Sequence, residues 1–144
     1  MATLKGQQML RNPFLNKGTA FSMEERKKYN LMGLLPGKVM SLEEQEKVIY
    51  ERTKTIEDNL DKHLYLMNIY DTNRVLFYYL VSKHVTEFLP IIYTPTIGDA
   101  VINYSKNYDT PKDAVFLSVD NSYDIKERIK SCMDDLDEIK LSCN

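Results

Sequence analysis

Apolar positions along the chain change their spacing several times, and each change marks an element. From Ser41 the stretch SLEEQEKVIYERTKTIEDNL places Leu42, Gln45, Val48, Ile49, Arg52, Ile56 and Leu60 at steps of three and four, the period of one helix face. Ser41 with Glu44 three positions later forms a capping box, so this stretch predicts the longest helix, continuing past Leu60. Gln45 and Arg52 interrupt its stripe and read either as long side chains that cover apolar surface while their heads stay wet or as part of an interface. A second capping box, Ser22 with Glu25, predicts a short helix to Asn30, and GLLPG from Gly33 to Gly37 predicts a turn. Leu64–Tyr70, LYLMNIY, is nearly continuous apolar, and Thr72–Leu80, TNRVLFYYL, follows with Thr72 or Asn73 as a cap, so two packed helices are expected. Asn68, Asn73 and Arg74 are the polar residues embedded there. Buried polar groups must be hydrogen-bonded, and their expected task is to brace the neighbouring loop that carries Tyr93.

That loop is Phe88–Gly98, FLPIIYTPTIG. Leu89, Ile91 and Ile92 favour burial, Pro90 disfavours continuation of the preceding helix, and Thr94-Pro95 reads as an N-cap followed by the first helical position. Tyr93 is therefore expected at a helix start, where first-turn N–H groups and the helix dipole attract anions. Two roles are open to it: meeting a carboxylate-bearing substrate, or packing in the core with its hydroxyl on a carbonyl. From Pro95 the pattern TPTIGDAVINYSKNY predicts a helix to Asn107 with Ile97, Ala100, Val101 and Tyr104 on one face.

Beyond Asn107 the period changes. Asp109–Lys112 reads as a turn, Ala114–Val119 as a strand, Ser122–Lys130 as a helix and Ile139–Cys143 as a second strand, together a βαβ unit. Two parallel strands and one helix cannot cover both faces of a sheet, so these residues are expected to open a larger domain, the alternative being a small α+β domain folded on itself. The expected fold is mainly α: a helical domain over residues 1–110, then over residues 111–144 the incomplete start of a parallel α/β domain.

Composition narrows the function classes. Nineteen basic and twenty-one acidic residues give a net charge of −2 with neither sign gathered in a block, which argues against nucleic acid as a partner. No 18-residue apolar run is present for a membrane span, and the opening MATLKGQQMLRNPF lacks an apolar signal core, so a cytoplasmic location is expected. Cys132 and Cys143 have neither metal-ligand spacing nor a disulfide framework, and His63 and His84 are far apart, so no zinc site is expected within these residues. His84 reads as a satisfied surface histidine. The arm NPFLNKGTAF carries Phe14, Leu15 and Phe21, which either cover this chain's own helices or reach a partner subunit.

Several of these blocks, in this order, resemble the amino-terminal domain of the malic enzymes and the related malolactic enzymes: NPFLNKGTAF with SMEER, LMGLLPGKV, LYLMNIYDTNRVLFYYL and FLPIIYTPTIGDA, within Asn12 to Asp120. The resemblance implies a helical first domain followed by a parallel-sheet domain and a dinucleotide-binding domain. It implies oxidation of L-malate with NAD or NADP, decarboxylation with Mg or Mn, and protonation of the enolate to pyruvate in a complete enzyme, which would be a homo-oligomer. The family's P-I-(V/I)-Y-T-P tyrosine is the proton donor, and the match of Pro90, Ile91, Tyr93, Thr94 and Pro95 places that role on Tyr93. A free phenol titrates near about 10, so a neighbouring cation improves it as an acid, and in the family a lysine from the next domain supplies one. That lysine, the substrate arginine, the acidic metal ligands and the dinucleotide glycines have no counterparts here, so these residues alone are expected to be inactive and to bind neither cofactor nor metal. The two arginines through which some animal members bind fumarate align with Val48 and Thr72, so fumarate activation is not implied. Thr94 follows the malic form, whereas malolactic members usually have aspartate there; Thr72–Tyr93 and Ala114–Asp120 lean toward malolactic and bacterial long-chain members, and both branches stay open.

Overall fold

The computed structural model describes residues 4–108 and 124–130. The chain divides into two units, Met1–Asp109 and Thr110–Asn144. In the first, α1 (Gln7–Arg11), a 3-10 turn (Gly18–Ala20) and α2 (Met23–Lys28) precede α3 (Leu42–Lys54), α4 (Asn59–Thr72), α5 (Arg74–Lys83), α6 (Val85–Ile92), α7 (Thr96–Ile102) and α8 (Tyr104–Asn107). The described residues include no strand, which agrees with a mainly α chain. In the second unit residues 125–130 are helical, within the helix expected from Ser122 to Lys130. The turn at 109–112 and the strands expected at 114–119 and 139–143 lie outside the described residues.

The helix expected to pass Leu60 ends at Lys54 instead. The Thr53 and Thr55 hydroxyls donate to the carbonyls of Tyr50 and Arg52 at 2.7 and 2.8 Å, competing with helix continuation. Asp58 then opens α4 by accepting from the amides of Leu60 and Asp61. The buried face of α3 also differs from the expected stripe. Gln45, Glu46 and Thr53 are buried, whereas Val48 and Arg52 are exposed. Gln45 is therefore no snorkelling surface group; its Nε2 donates to the Lys17 carbonyl at 3.3 Å and ties the arm to α3.

The main core gathers Leu66 and Ile69 of α4, Leu76, Phe77 and Leu80 of α5, and Phe88 and Ile91 of α6. α4 packs against α5, α6 and α7. Asn73 sits at the corner between α4 and α5: its N–H closes α4 on the Ile69 carbonyl, and its side chain opens α5 by accepting from Leu76 N. These bonds of Asn73 stay within this corner, and Arg74 meets the arm. The Arg74 amide donates to the Pro13 carbonyl, and the Arg74 guanidinium lies 4.3 Å from the ring centres of both Phe14 and Tyr70. Asn68, expected among the buried polar groups, is exposed.

A second, smaller core joins Phe21, Leu31 and Met9. Both capping boxes form, Ser22 with Glu25 and Ser41 with Glu44. α2 stops at Lys28, and Asn30 takes a φ of 57°, letting Leu31 N reach the Arg26 carbonyl at 2.8 Å and Asn30 N the Lys27 carbonyl at 3.4 Å. This pair of bonds is a Schellman motif, and it delivers Leu31 to the core. Arg26, buried on α2, donates to the carbonyls of Thr19, Phe21, Pro36 and Lys38 at 3.1, 2.9, 2.6 and 3.3 Å, gathering arm and turn on one side chain. Of the three arm anchors only Phe21 is buried; Phe14 and Leu15 are exposed, Phe14 by 63%.

Arg26→Met should cost about 3 kcal/mol, because charged hydrogen bonds are lost and buried carbonyls are left unpaired; a urea midpoint followed by circular dichroism checks it. The Glu25 carboxyl is held below its ordinary value of 4.5 by the hydrogen bond from Lys17 and then by the backbone of Ser22. Its ionised form is favoured by folding, so its stabilising effect is complete above the unfolded value and is lost as pH falls through the folded one. Glu25→Gln should flatten the loss of stability between about pH 5 and 3, read from urea unfolding across that range.

Candidate active site

Two prolines shape the segment that presents Tyr93. A proline has no N–H, so within a helix it removes the normal partner of the carbonyl four residues earlier. Pro90 lies inside α6, which continues through it to Ile92, contrary to the sequence expectation. Both Pro90 and Thr86, four residues before it, are exposed, and at an exposed position water completes an unpaired carbonyl. α6 buries Phe88 and Ile91 and turns Leu89 outward, 51% exposed, where burial had been expected.

The carbonyl of Ile91 is left open for a different reason, since α6 ends at Ile92 and Tyr93 turns out of the helical conformation, and this one is buried. Nδ1 of His63, a buried residue of α4, lies 2.9 Å from it. A carbonyl only accepts, so Nδ1 carries the hydrogen. Sequence reasoning did not connect His63 with this segment, although its spacing from Leu66 and Ile69 on α4 places it on the buried face.

Tyr93 ends α6. Its N–H donates to the Leu89 carbonyl at 3.0 Å and its own carbonyl accepts from Ile97 N at 2.9 Å, so both sides of its backbone are engaged. The side chain is free of the core: Tyr93 is 62% exposed. The expected helix-mouth arrangement does not form. The Thr94–Pro95 peptide is cis, Pro95 rather than Thr94 takes the cap position, and no side-chain cap bond is made. Two of the amides expected to attract an anion, Ile97 N and Gly98 N, are bonded to the carbonyls of Tyr93 and Pro95. The single helix expected to Asn107 breaks at Asn103 into α7 and α8, and α7 buries Thr96 and Ala100 while Ile97 and Val101 are exposed.

His84 belongs to a separate polar cluster. Its Nε2 is 2.8 Å from Glu46 Oε1, and Lys83 Nζ is 3.4 Å from Oε2 of the same carboxylate, whose side chain is 4% exposed. Tyr50 stacks on the His84 ring at 3.7 Å and donates its hydroxyl to Glu87 at 2.9 Å. That bond to Glu87 pushes the Tyr50 phenol above its ordinary value. The cluster ties α3 to the junction of α5 and α6, a structural employment. Among the described residues no three of His, Cys, Asp and Glu group as metal ligands, so they do not fit a divalent-metal site. Among those residues, too, no helix is long and apolar enough to cross a membrane.

A family profile described as the malic enzyme N-terminal domain matches residues 70–143, which include the whole Tyr93 segment. The chain belongs to the malic enzyme family. This malic-family chain is 45% identical over 96% of its length to a malolactic enzyme of Lactococcus lactis, of which it covers 25%. It is also 45% identical over 96% of its length to NAD-dependent malic enzyme 3 of Bacillus subtilis, covering 24% of that protein. An NAD-dependent malic enzyme of Aliivibrio fischeri is 46% identical over 88% of this chain and covered to 22%. The malic-family chain thus spans about a quarter of the length of these relatives.

Because the Tyr93 ring packs little, removing its hydroxyl should leave the fold intact. Tyr93→Phe is expected to change the unfolding free energy by less than about 0.5 kcal/mol, checked by urea denaturation of the 144-residue chain.

Proposed function

We propose that this chain is the amino-terminal portion of a longer malic enzyme that converts L-malate to pyruvate and CO2 with NAD(P) and Mg or Mn, and that Tyr93 is its proton donor. The observation that carries this reading is a solvent-facing phenol on PIIYTP with both of its backbone groups engaged. In the proton-transfer step the Tyr93 O–H bond breaks and its proton goes to C3 of the enolate of pyruvate. The enolate electron pair forms the new C–H bond, and the keto acid results. A fixed backbone beneath an exposed hydroxyl suits that task, since proton donation depends on holding the O–H within hydrogen-bond reach of the carbon. The groups that hold cofactor, metal and the substrate carboxylates would come from sequence other than the described residues, and the 144-residue chain by itself should turn over no malate.

The similarity to a malolactic enzyme, as high as that to a malic enzyme, favours a second reading in which the complete protein releases lactate rather than pyruvate. Product analysis with malate and NAD separates the two. The outward Phe14 and Leu15 support a further role of the arm in contacts between copies of the chain.

In the complete protein Tyr93→Phe should lower kcat by about 100-fold or more with little change in malate KM, the pattern of a lost acid–base group. Turnover near wild type in a steady-state assay would remove the proposed role.

A further inference from the structure

We infer that His63 is the positioning residue for Tyr93: its Nδ1–H supplies the donor that the Ile91 carbonyl lacks at the end of α6 and so fixes the last turn of that helix beneath the phenol. The inference rests on the reading of Tyr93 as proton donor. The last carbonyls of a helix have no partner within it. Leu89 O is satisfied by Tyr93 N, one turn back from the phenol. Ile91 O has no such partner, because the chain leaves the helix at Tyr93, and residue 95, four positions on, is a proline without an N–H. Ile91 is 5% exposed, so water is a poor substitute, and a buried unpaired carbonyl costs about 1–3 kcal/mol.

His63 reaches this carbonyl across 28 positions of sequence, from the buried face of α4. α4 packs against both α6 and α7, the two helices that flank Tyr93. The bond therefore fastens the Tyr93 support to the centre of the main core. Without it, the last turn of α6 keeps the Leu89 bond and its apolar packing on α4 but loses its hydrogen-bonded tie to that helix, and the phenol gains freedom in direction while remaining attached to a folded chain.

The test separates the donor from the ring. His63→Phe keeps an aromatic ring and loses the donor; His63→Asn loses the ring and keeps an amide donor close to the Nδ1 position. Amide hydrogen exchange is measured in the 144-residue chain at Tyr93 and Ile97, whose bonds bracket the site, with Leu76 and Phe77 of α5 as controls. Positioning predicts that His63→Phe speeds exchange at Tyr93 and Ile97 by about 10-fold relative to the controls, and that His63→Asn keeps it within about 3-fold of wild type. The opposite order, or equal changes at all four amides, overturns the inference in favour of packing alone. His63→Leu serves as a second donor-free variant should the phenylalanine not be accommodated.

In the complete enzyme His63→Phe should lower kcat by about 10-fold at nearly constant malate KM. His63→Asn should recover most of it, and in a Tyr93→Phe background the His63→Phe change should add little. An unchanged kcat overturns the inference even where exchange responds. Full activity of Tyr93→Phe defeats the proton-donor reading instead, and leaves the exchange result standing as a structural one.

Discussion

Buried backbone groups must be paired, and the described helices end often enough that this requirement governs much of the first unit. Where a helix end reaches solvent, water completes it at no structural cost. Where it does not, a particular side chain has to be present. At buried ends Asn73 supplies an acceptor to the Leu76 amide and His63 a donor to the Ile91 carbonyl. Arg26 supplies donors to loop carbonyls, while Ser22, Ser41 and Asp58 cap ends that are exposed. The apolar cores provide most of the driving force for collapse, but they do not choose where one helix stops and another begins. These polar contacts do.

The same requirement explains which features were legible from sequence. A capping box is a local arrangement of four residues, and both boxes stand where the pattern places them. The Asn73 cap is local too. The break after Lys54 depends on threonine hydroxyls outcompeting a propagating helix, against an apolar period that runs on unchanged through Ile56 and Leu60. A proline on average stops a helix, yet Pro90 lies within α6, where it and Thr86 four residues before it are both exposed. For the candidate site, PIIYTP marked the tyrosine, whereas its support escaped notice because His63 and Ile91 are separated by 28 positions and no local rule joins them. Arg26 was hidden in the same way, its acceptors being carbonyls of loops whose course sequence does not reveal.

Membership of the malic enzyme family and the geometry around Tyr93 bear on different questions. The ordered similarity to malic and malolactic enzymes defines the chemistry worth testing. The structure shows that the tyrosine is not a core residue: its neighbours Phe88 and Ile91 anchor the helix while its own ring contributes little packing. Packing and presentation are thus divided between adjacent residues of one short helix.

The corner at Asn73 has a dynamic consequence. One residue terminates α4 with its backbone N–H and starts α5 with its side chain, while Asn16 donates to the Thr72 carbonyl at 2.8 Å and the Pro13 carbonyl accepts from Arg74 on either side of it. No flexing between these two helices can occur without parting both caps and the arm together. The corner is consequently closed as a hinge, and breathing of arm and helical hairpin is a single cooperative opening in place of independent loop motion.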